Sequence, residues 1–237
     1  DLAASTVSGT LGVTSSGAVT ESGTLAITGA TTISASGQDI TLDEAASTFG
    51  ALALTGANVA VTENAATDLA ASTVSGTLGV TSTGAVTDSG TLAITGATTI
   101  SASGQDITLD EAASTFGTLA LTGANVAVTE NAATDLGAST VSGTFGITSG
   151  GAITDSGTQT ITGAATFTNT AGTNDAITLD DVSNAFSGTV TFSTDSGSAV
   201  TVVDTTALDL LALSAASLSV TSGGAVTDSG TLAITGA

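Results

Sequence analysis

Apolar residues recur along the chain as short alternating pairs: Leu11 and Val13, Leu25 and Ile27, Ile40 and Leu42, Leu52 and Leu54, Val59 and Val61. A period of two sends neighbouring side chains to opposite faces of a strand, so these pairs predict strands and not helices. Clusters of small polar residues separate them, as in Thr14-Ser15-Ser16-Gly17 and Ser34-Ala35-Ser36-Gly37, and supply turns in a chain without proline. Nine strand-like pieces follow one another in this way, centred near Val7, Leu11, Val19, Leu25, Ile33, Ile40, Leu52, Val59 and Leu69.

The same pattern then returns. Asp1-Leu2-Ala3-Ala4-Ser5-Thr6-Val7-Ser8-Gly9 reappears at Asp68 and, with Gly137 in place of alanine, at Asp135, so the spacing is 67 both times. Residues 1–67 and 68–134 differ at three places only, where Ser16, Glu21 and Ala51 become Thr83, Asp88 and Thr118. The third copy, 135–208, is longer, and a fourth occupies 209–237 in part. Nine short strands divide into three triangular coils, about Thr6–Gly23, Thr24–Thr48 and Phe49–Ser72, averaging roughly 22 residues each. The expected fold is therefore all-β: one continuous right-handed parallel β-helix, a three-sided β-solenoid with about three coils per 67-residue copy. Its hand follows from the general preference of parallel crossovers. Two other readings of the pattern are a low-complexity linker and an array of separate β-sandwiches. The first does not keep alternation in register over a long period, and the second asks each short, aromatic-poor copy to close a core alone.

Composition narrows the function. Apolar residues make up 41%, enough to build a core, but aromatics are 3%, all six of them Phe, so the interior must be long and thin. There is no Lys, Arg, His or Cys, and the formal charge is −21. Nucleic acid is excluded as a direct partner, because phosphate affinity rests on cationic side chains. Disulfides and His or Cys metal sites are excluded with it. Serine nucleophiles lack a base, so that class of enzyme is closed. No apolar run approaches the length of a membrane span, roughly 18 residues, and direct membrane insertion is not expected. An open solenoid end exposes unpaired backbone, so the chain is expected to continue on both sides or to associate end to end, with lateral association into fibres as a second mode.

Segments such as Thr144-Phe145-Gly146-Ile147-Thr148-Ser149-Gly150-Gly151-Ala152-Ile153-Thr154-Asp155-Ser156-Gly157, with their equivalents from Thr10 and Thr77, resemble the repeats of filamentous-haemagglutinin-type adhesins and related giant β-strand-repeat surface proteins. The likeness spans essentially the whole chain and is one of pattern. It implies a bacterial, extracellular, cell-surface β-helix that serves as the shaft of an adhesin or fibre; that the chain is not an enzyme is expected separately, from the lack of a base and of a unique acid pair. The absence of cationic residues departs from that family.

Candidate chemistry is confined to the acids. Asp39, Asp43 and Glu44 recur as Asp106, Asp110 and Glu111 and, loosely, as Asp175, Asp180 and Asp181. With Ile40 and Leu42 inward, Asp39 and Asp43 point outward about 13 Å apart, too far to share an ion. The strand-end pairs Asp43 and Glu44, Asp110 and Glu111, and Asp180 and Asp181 are the calcium candidates, since a carboxylate pair beside turn carbonyls is oxygen-rich. The plainer reading is a solvated acidic turn. A charge of −21 on a shaft of about 50 Å also implies a cation atmosphere, and divalent cations are expected to stiffen it or bridge neighbours. Two further binding classes stay open: a carbohydrate-active β-helix using paired carboxylates, and an ice-binding face of stacked threonines such as those around Thr31 and Thr32. Finally, Gln159 stands where copies one, two and four have Leu25, Leu92 and Leu232. It is expected inside, satisfied beside the lengthened Thr170–Ala176 turn or by a register shift.

Overall fold

A computed structural model describes residues 1–170, 175–194 and 197–236. All nine strands expected in the first copy are present: Ser5–Val7, Leu11–Thr14, Val19–Thr20, Leu25–Ile27, Thr31–Ser34, Ile40–Leu42, Leu52–Gly56, Val59–Glu63 and Thr67–Leu69. Pairings between described strands are parallel, as a solenoid requires. The chain divides into two compact units, residues 1–117 and 118–237.

In the first unit the strands stack on three faces. Ser5–Val7 carries Leu25–Ile27, and Ala26 then bridges to Thr48. Leu11–Thr14, Thr31–Ser34 and Leu52–Gly56 build the second face; Val19–Thr20, Ile40–Leu42 and Val59–Glu63 build the third. Along the second face Leu11 pairs with Thr31 and Thr31 with Leu52, each pairing one full turn of the coil. Alternation does the sorting: Leu25, Ile33, Ile40, Leu42, Leu52 and Leu54 are each at most 1% exposed, and the core is a column of aliphatic side chains.

Turns as short as the one from Leu11 to Thr31 leave room for more than three in a copy. Counting the Thr48 bridge, ten face segments make one copy, three and a third turns. The consequence is visible inside this unit. Leu78–Ser82 is the sequence equivalent of Leu11–Thr14, yet it stacks on Val59–Glu63 of the third face, one face further round. Between them, the chain crosses the Thr48 segment at Asn64, whose N–H donates to Ser47 O, and Thr67–Leu69 then stacks on the start of the next strand, with Leu69 paired to Leu52 and Ala70 N–H donating to Leu52 O. The expected boundaries at Gly23, Thr48 and Ser72 are thus superseded, because a paired segment at Thr48 lies where no alternating apolar pair marks a strand.

One corner turn explains why glycine recurs. A Cβ on Gly29 would lie 2.5 Å from Gly9 O, and one on Gly96 would lie 2.6 Å from Gly76 O. Backbones of successive coils touch there, so only glycine fits. Gly9 and Gly29 mark the corner between the first and second faces; Gly76 and Gly96 mark the next corner, the same one-face advance.

The second unit is also three-faced. Phe145–Ser149, Ala165–Asn169 and Thr189–Ser193 stack on one face, Ile153–Asp155, Ile177–Leu179 and Ala199–Asp204 on another, and Ser139–Val141, Gln159–Ile161 and Ala185–Phe186 on the third. Its core holds four phenylalanines. Phe167 meets Phe145 edge-on at 5.8 Å, Phe186 edge-on at 6.0 Å and Phe192 stacked at 5.6 Å. In the next coil Leu210 and Ala212 pair with Val190 and Thr191, which leaves Leu211 as a bulge, 42% exposed.

Candidate functional site

The predicted acidic turns are where the sequence places them, but their connections run through the backbone. Asp43 and Glu44 are exposed just after the strand Ile40–Leu42. Glu44 N–H donates to Glu21 Oε1 at 2.6 Å, and the Ser47 hydroxyl donates to Glu21 Oε2 at 3.2 Å while accepting Leu25 N–H at 2.9 Å. One buried carboxylate thus anchors the turn of the coil above it. The second copy repeats this: Asp110 N–H donates to Asp88 Oδ1 at 2.9 Å, Glu111 N–H to Asp88 Oδ2 at 3.4 Å, and Leu92 N–H to Ser114 Oγ at 3.0 Å.

The third copy keeps the device with other atoms. Asp180 N–H donates to Asp155 Oδ1 at 2.8 Å, the Asn184 amide donates to Asp155 Oδ2 at 2.5 Å, and Asn184 Oδ1 accepts Gln159 N–H at 2.7 Å. Asp181 Oδ1 accepts the Thr158 hydroxyl at 3.1 Å and Ser183 N–H at 2.9 Å. Gln159 is fully buried, and its amide donates to Gly157 O at 2.7 Å and Gly137 O at 2.8 Å. It pairs with Ser139 in unshifted register. The expected partner, the Thr170–Ala176 turn, lies largely outside the described residues.

Glu44, Asp110, Glu111, Asp180 and Asp181 therefore present main-chain atoms to the coils, while Asp43, Glu44, Asp110, Glu111 and Asp180 are exposed. Among the described residues no group of three or more acidic side chains is arranged to hold a metal ion. Asp39 is tied differently: its Oδ1 accepts Asn58 N–H at 3.1 Å and the Asn58 amide at 2.9 Å, and Asn58 Oδ1 in turn accepts Thr77 N–H at 3.1 Å, an external ladder from coil to coil. Outward threonines stack on more than one face of the second unit: Thr154, Thr178 and Thr201 on one, Thr166 and Thr191 on another.

The residues that sequence reasoning missed are the acids pointing inward. Glu21, Glu63, Asp88, Glu130 and Asp204 are buried, and Asp155 is partly so. The signal was available. Each follows inward apolar residues at a spacing of two, as in Val59, Val61, Glu63 or Val200, Val202, Asp204, so alternation alone sends the carboxylate into the core. Glu63 is 0% exposed; its Oε1 accepts Phe49 N–H at 2.7 Å, and its Oε2 is buried without a hydrogen-bond partner. Asp204 Oδ1 accepts Phe186 N–H at 3.2 Å and Thr206 N–H at 3.0 Å.

Burial pushes the carboxyls of Glu21, Glu63, Asp88 and Asp155 above the usual carboxylate range; the N–H donors, with the Ser47 hydroxyl at Glu21 and the Thr67 hydroxyl at Glu63, oppose the rise without cancelling it. Neighbouring acids add to it at Glu21, from Glu44 and Asp43, at Asp88, from Asp110 and Glu111, and at Asp155, from Asp180. A shallow groove of about 340 Å³ in the second unit is lined by Val182, Val203, Asp204, Thr205 and Thr221.

A family model described as "Repeats of unknown function (DUF5649)" matches residues 1–55, 56–122, 123–193 and 197–237. No curated protein and no solved structure matches the chain.

Proposed function

Because the chain belongs to the family of DUF5649 repeats, and its copies here build parallel β-solenoid coils, we propose that it is a stretch of the structural shaft of an extracellular bacterial adhesin or surface fibre. The observation that carries this reading is the phase of the repeat. Copies one and two are almost identical, yet equivalent strands such as Leu11–Thr14 and Leu78–Ser82 stand on different faces. A groove, an ice-binding plane or a catalytic cleft needs its residues kept on one face over successive coils. A shaft needs only that every copy extend it. The exposed acids Asp43, Glu44, Asp110 and Glu111 are spread round such a shaft, where divalent cations can screen them and bridge neighbouring copies.

Antibody against residues 1–67, followed by electron microscopy of intact and fractionated native cells, tests the assignment. Labelled surface filaments that shorten by about 16 Å for each copy removed, at about 4.8 Å per coil, support a shaft. Labelling confined to the cell interior, or loss of all filaments on removing one copy, contradicts it.

A further inference from the structure

We propose that Glu63 holds a proton in the folded chain, and that the solenoid takes up protons as it folds, so that mild acid tightens it. Three observations place the proton. Glu63 is fully enclosed, in a chain that has no cationic side chain to offer as a counter-charge. Its Oε1 is occupied by Phe49 N–H, while Oε2 has no partner. The Thr67 hydroxyl faces the carboxyl from its own coil, close enough to oppose the rise, yet it is buried and makes no hydrogen bond of ordinary geometry. A hydrogen bond between Oε2 and Thr67 Oγ1 satisfies both orphan atoms whichever of them donates, but only a proton on the carboxyl also removes a buried charge that has no counter-charge in the chain.

The corresponding pair in the second unit shows that the two side chains can meet: there the Thr134 hydroxyl donates to Glu130 Oε2 at 2.8 Å. Around Glu63 the polar groups are Phe49 N–H from the coil below, Thr67, and, in register above, Ser82, whose hydroxyl donates to Ala65 O. The three other carboxyls raised by burial have acids for neighbours, namely Asp43 and Glu44 at Glu21, Asp110 and Glu111 at Asp88, and Asp180 at Asp155. Every one of these acidic neighbours also favours the neutral form.

The sign follows from linkage. A carboxyl raised on folding binds its proton more tightly in the native state, so its contribution is fully present below the unfolded carboxylate value and is lost as pH rises through the folded one. Most proteins lose stability on mild acidification; this chain gains it.

The test is thermal unfolding of the whole chain from pH 8 to pH 4, with Glu63→Gln beside Glu44→Gln. Glutamine in place of Glu63 keeps an acceptor for Phe49 N–H and a donor for Thr67, and carries no charge. The wild-type midpoint should rise as pH falls. Glu63→Gln should raise it by about 2–4 °C at pH 8 and leave it nearly unchanged at pH 4, whereas Glu44→Gln, which removes the same charge from an exposed position, should do less at pH 8. A wild-type midpoint that falls with acid, or equal effects from the two variants, overturns the proposal. If Glu63→Gln does not fold, infrared spectroscopy of the wild type at pH 7 decides: a protonated-carboxyl C=O band in the folded chain supports the proton, and its absence overturns it.

Discussion

The rung formed by Leu25 and Ser47, repeated as Leu92 and Ser114, and the rung formed by Gln159 and Asn184 solve one problem with different side chains. In each, an inward acid holds the turn of the next coil, and a polar side chain accepts the N–H of the inward residue. Ser47 meets both the acid and the N–H with one hydroxyl. Asn184 does so with its two amide ends, accepting from Gln159 N–H and donating to Asp155. The difference teaches that the element kept from copy to copy is a hydrogen-bond route through the wall of the coil, and that the apolar filling beside it is exchangeable. Around Gln159 the filling has changed too: Phe145, Phe167 and Phe192 stand where the earlier copies have leucine or isoleucine.

The largest expected effect tests that filling. Phe167 touches three other rings, so Phe167→Ala should cost about 3–5 kcal/mol, near the upper end of buried truncations and above the cost of Ile100→Ala at the equivalent place. Chemical denaturation of both variants measures the gap; equal losses would mean the aromatic contacts add nothing to simple burial. Next is the corner. Gly96→Ala drives a methyl into Gly76 O and should cost about 1–3 kcal/mol, while Gly79→Ala, whose nearest backbone atom is 3.9 Å away, should be close to neutral.

Ser114→Ala tests the route through the wall directly. It strands Leu92 N–H in the core and should lower stability by about 1–3 kcal/mol, with Ser114→Asn less costly because the amide can take over the hydroxyl's acceptor role. The smallest effect is at Gln159. Its Oε1 is buried without a partner, so the loss of three amide hydrogen bonds in Gln159→Leu is offset by removal of an orphan acceptor, and stability should move by less than about 1 kcal/mol. A large loss there would show that the amide contacts to Gly137 and Gly157 hold the third copy together.

The strands of this molecule were legible because an alternating apolar pair, or a single apolar residue set between turn clusters, marks each of them, down to two-residue pieces such as Val19–Thr20. The turn count was less legible. Thr48 pairs through one residue, inside Ser47-Thr48-Phe49, where no alternation announces a strand, and omitting it turns three and a third coils into three. The inward acids were legible in principle and overlooked because charge argues for solvent as strongly as alternation argues for the core. Glu63 shows which consideration prevails: a strand already committed by Val59 and Val61 carries its next alternate residue inside whatever its charge. The Ser47 hydroxyl bridge was not legible at all, since it depends on which coil lies beneath which.

The phase of the repeat is the claim on which the shaft reading stands, and the first unit contains a direct test. The chain has no cysteine, so Glu44→Cys and Glu111→Cys, equivalent positions one copy apart, can be spin-labelled without background and their separation measured by pulsed electron paramagnetic resonance. Three and a third turns put the two labels on adjacent corners, roughly 25 Å apart from about 16 Å of rise and one face width at about 3.3 Å per residue. Three whole turns would put them on one corner about 14 Å apart, and that result would return every copy to the same face and remove the argument for a shaft without a dedicated binding side.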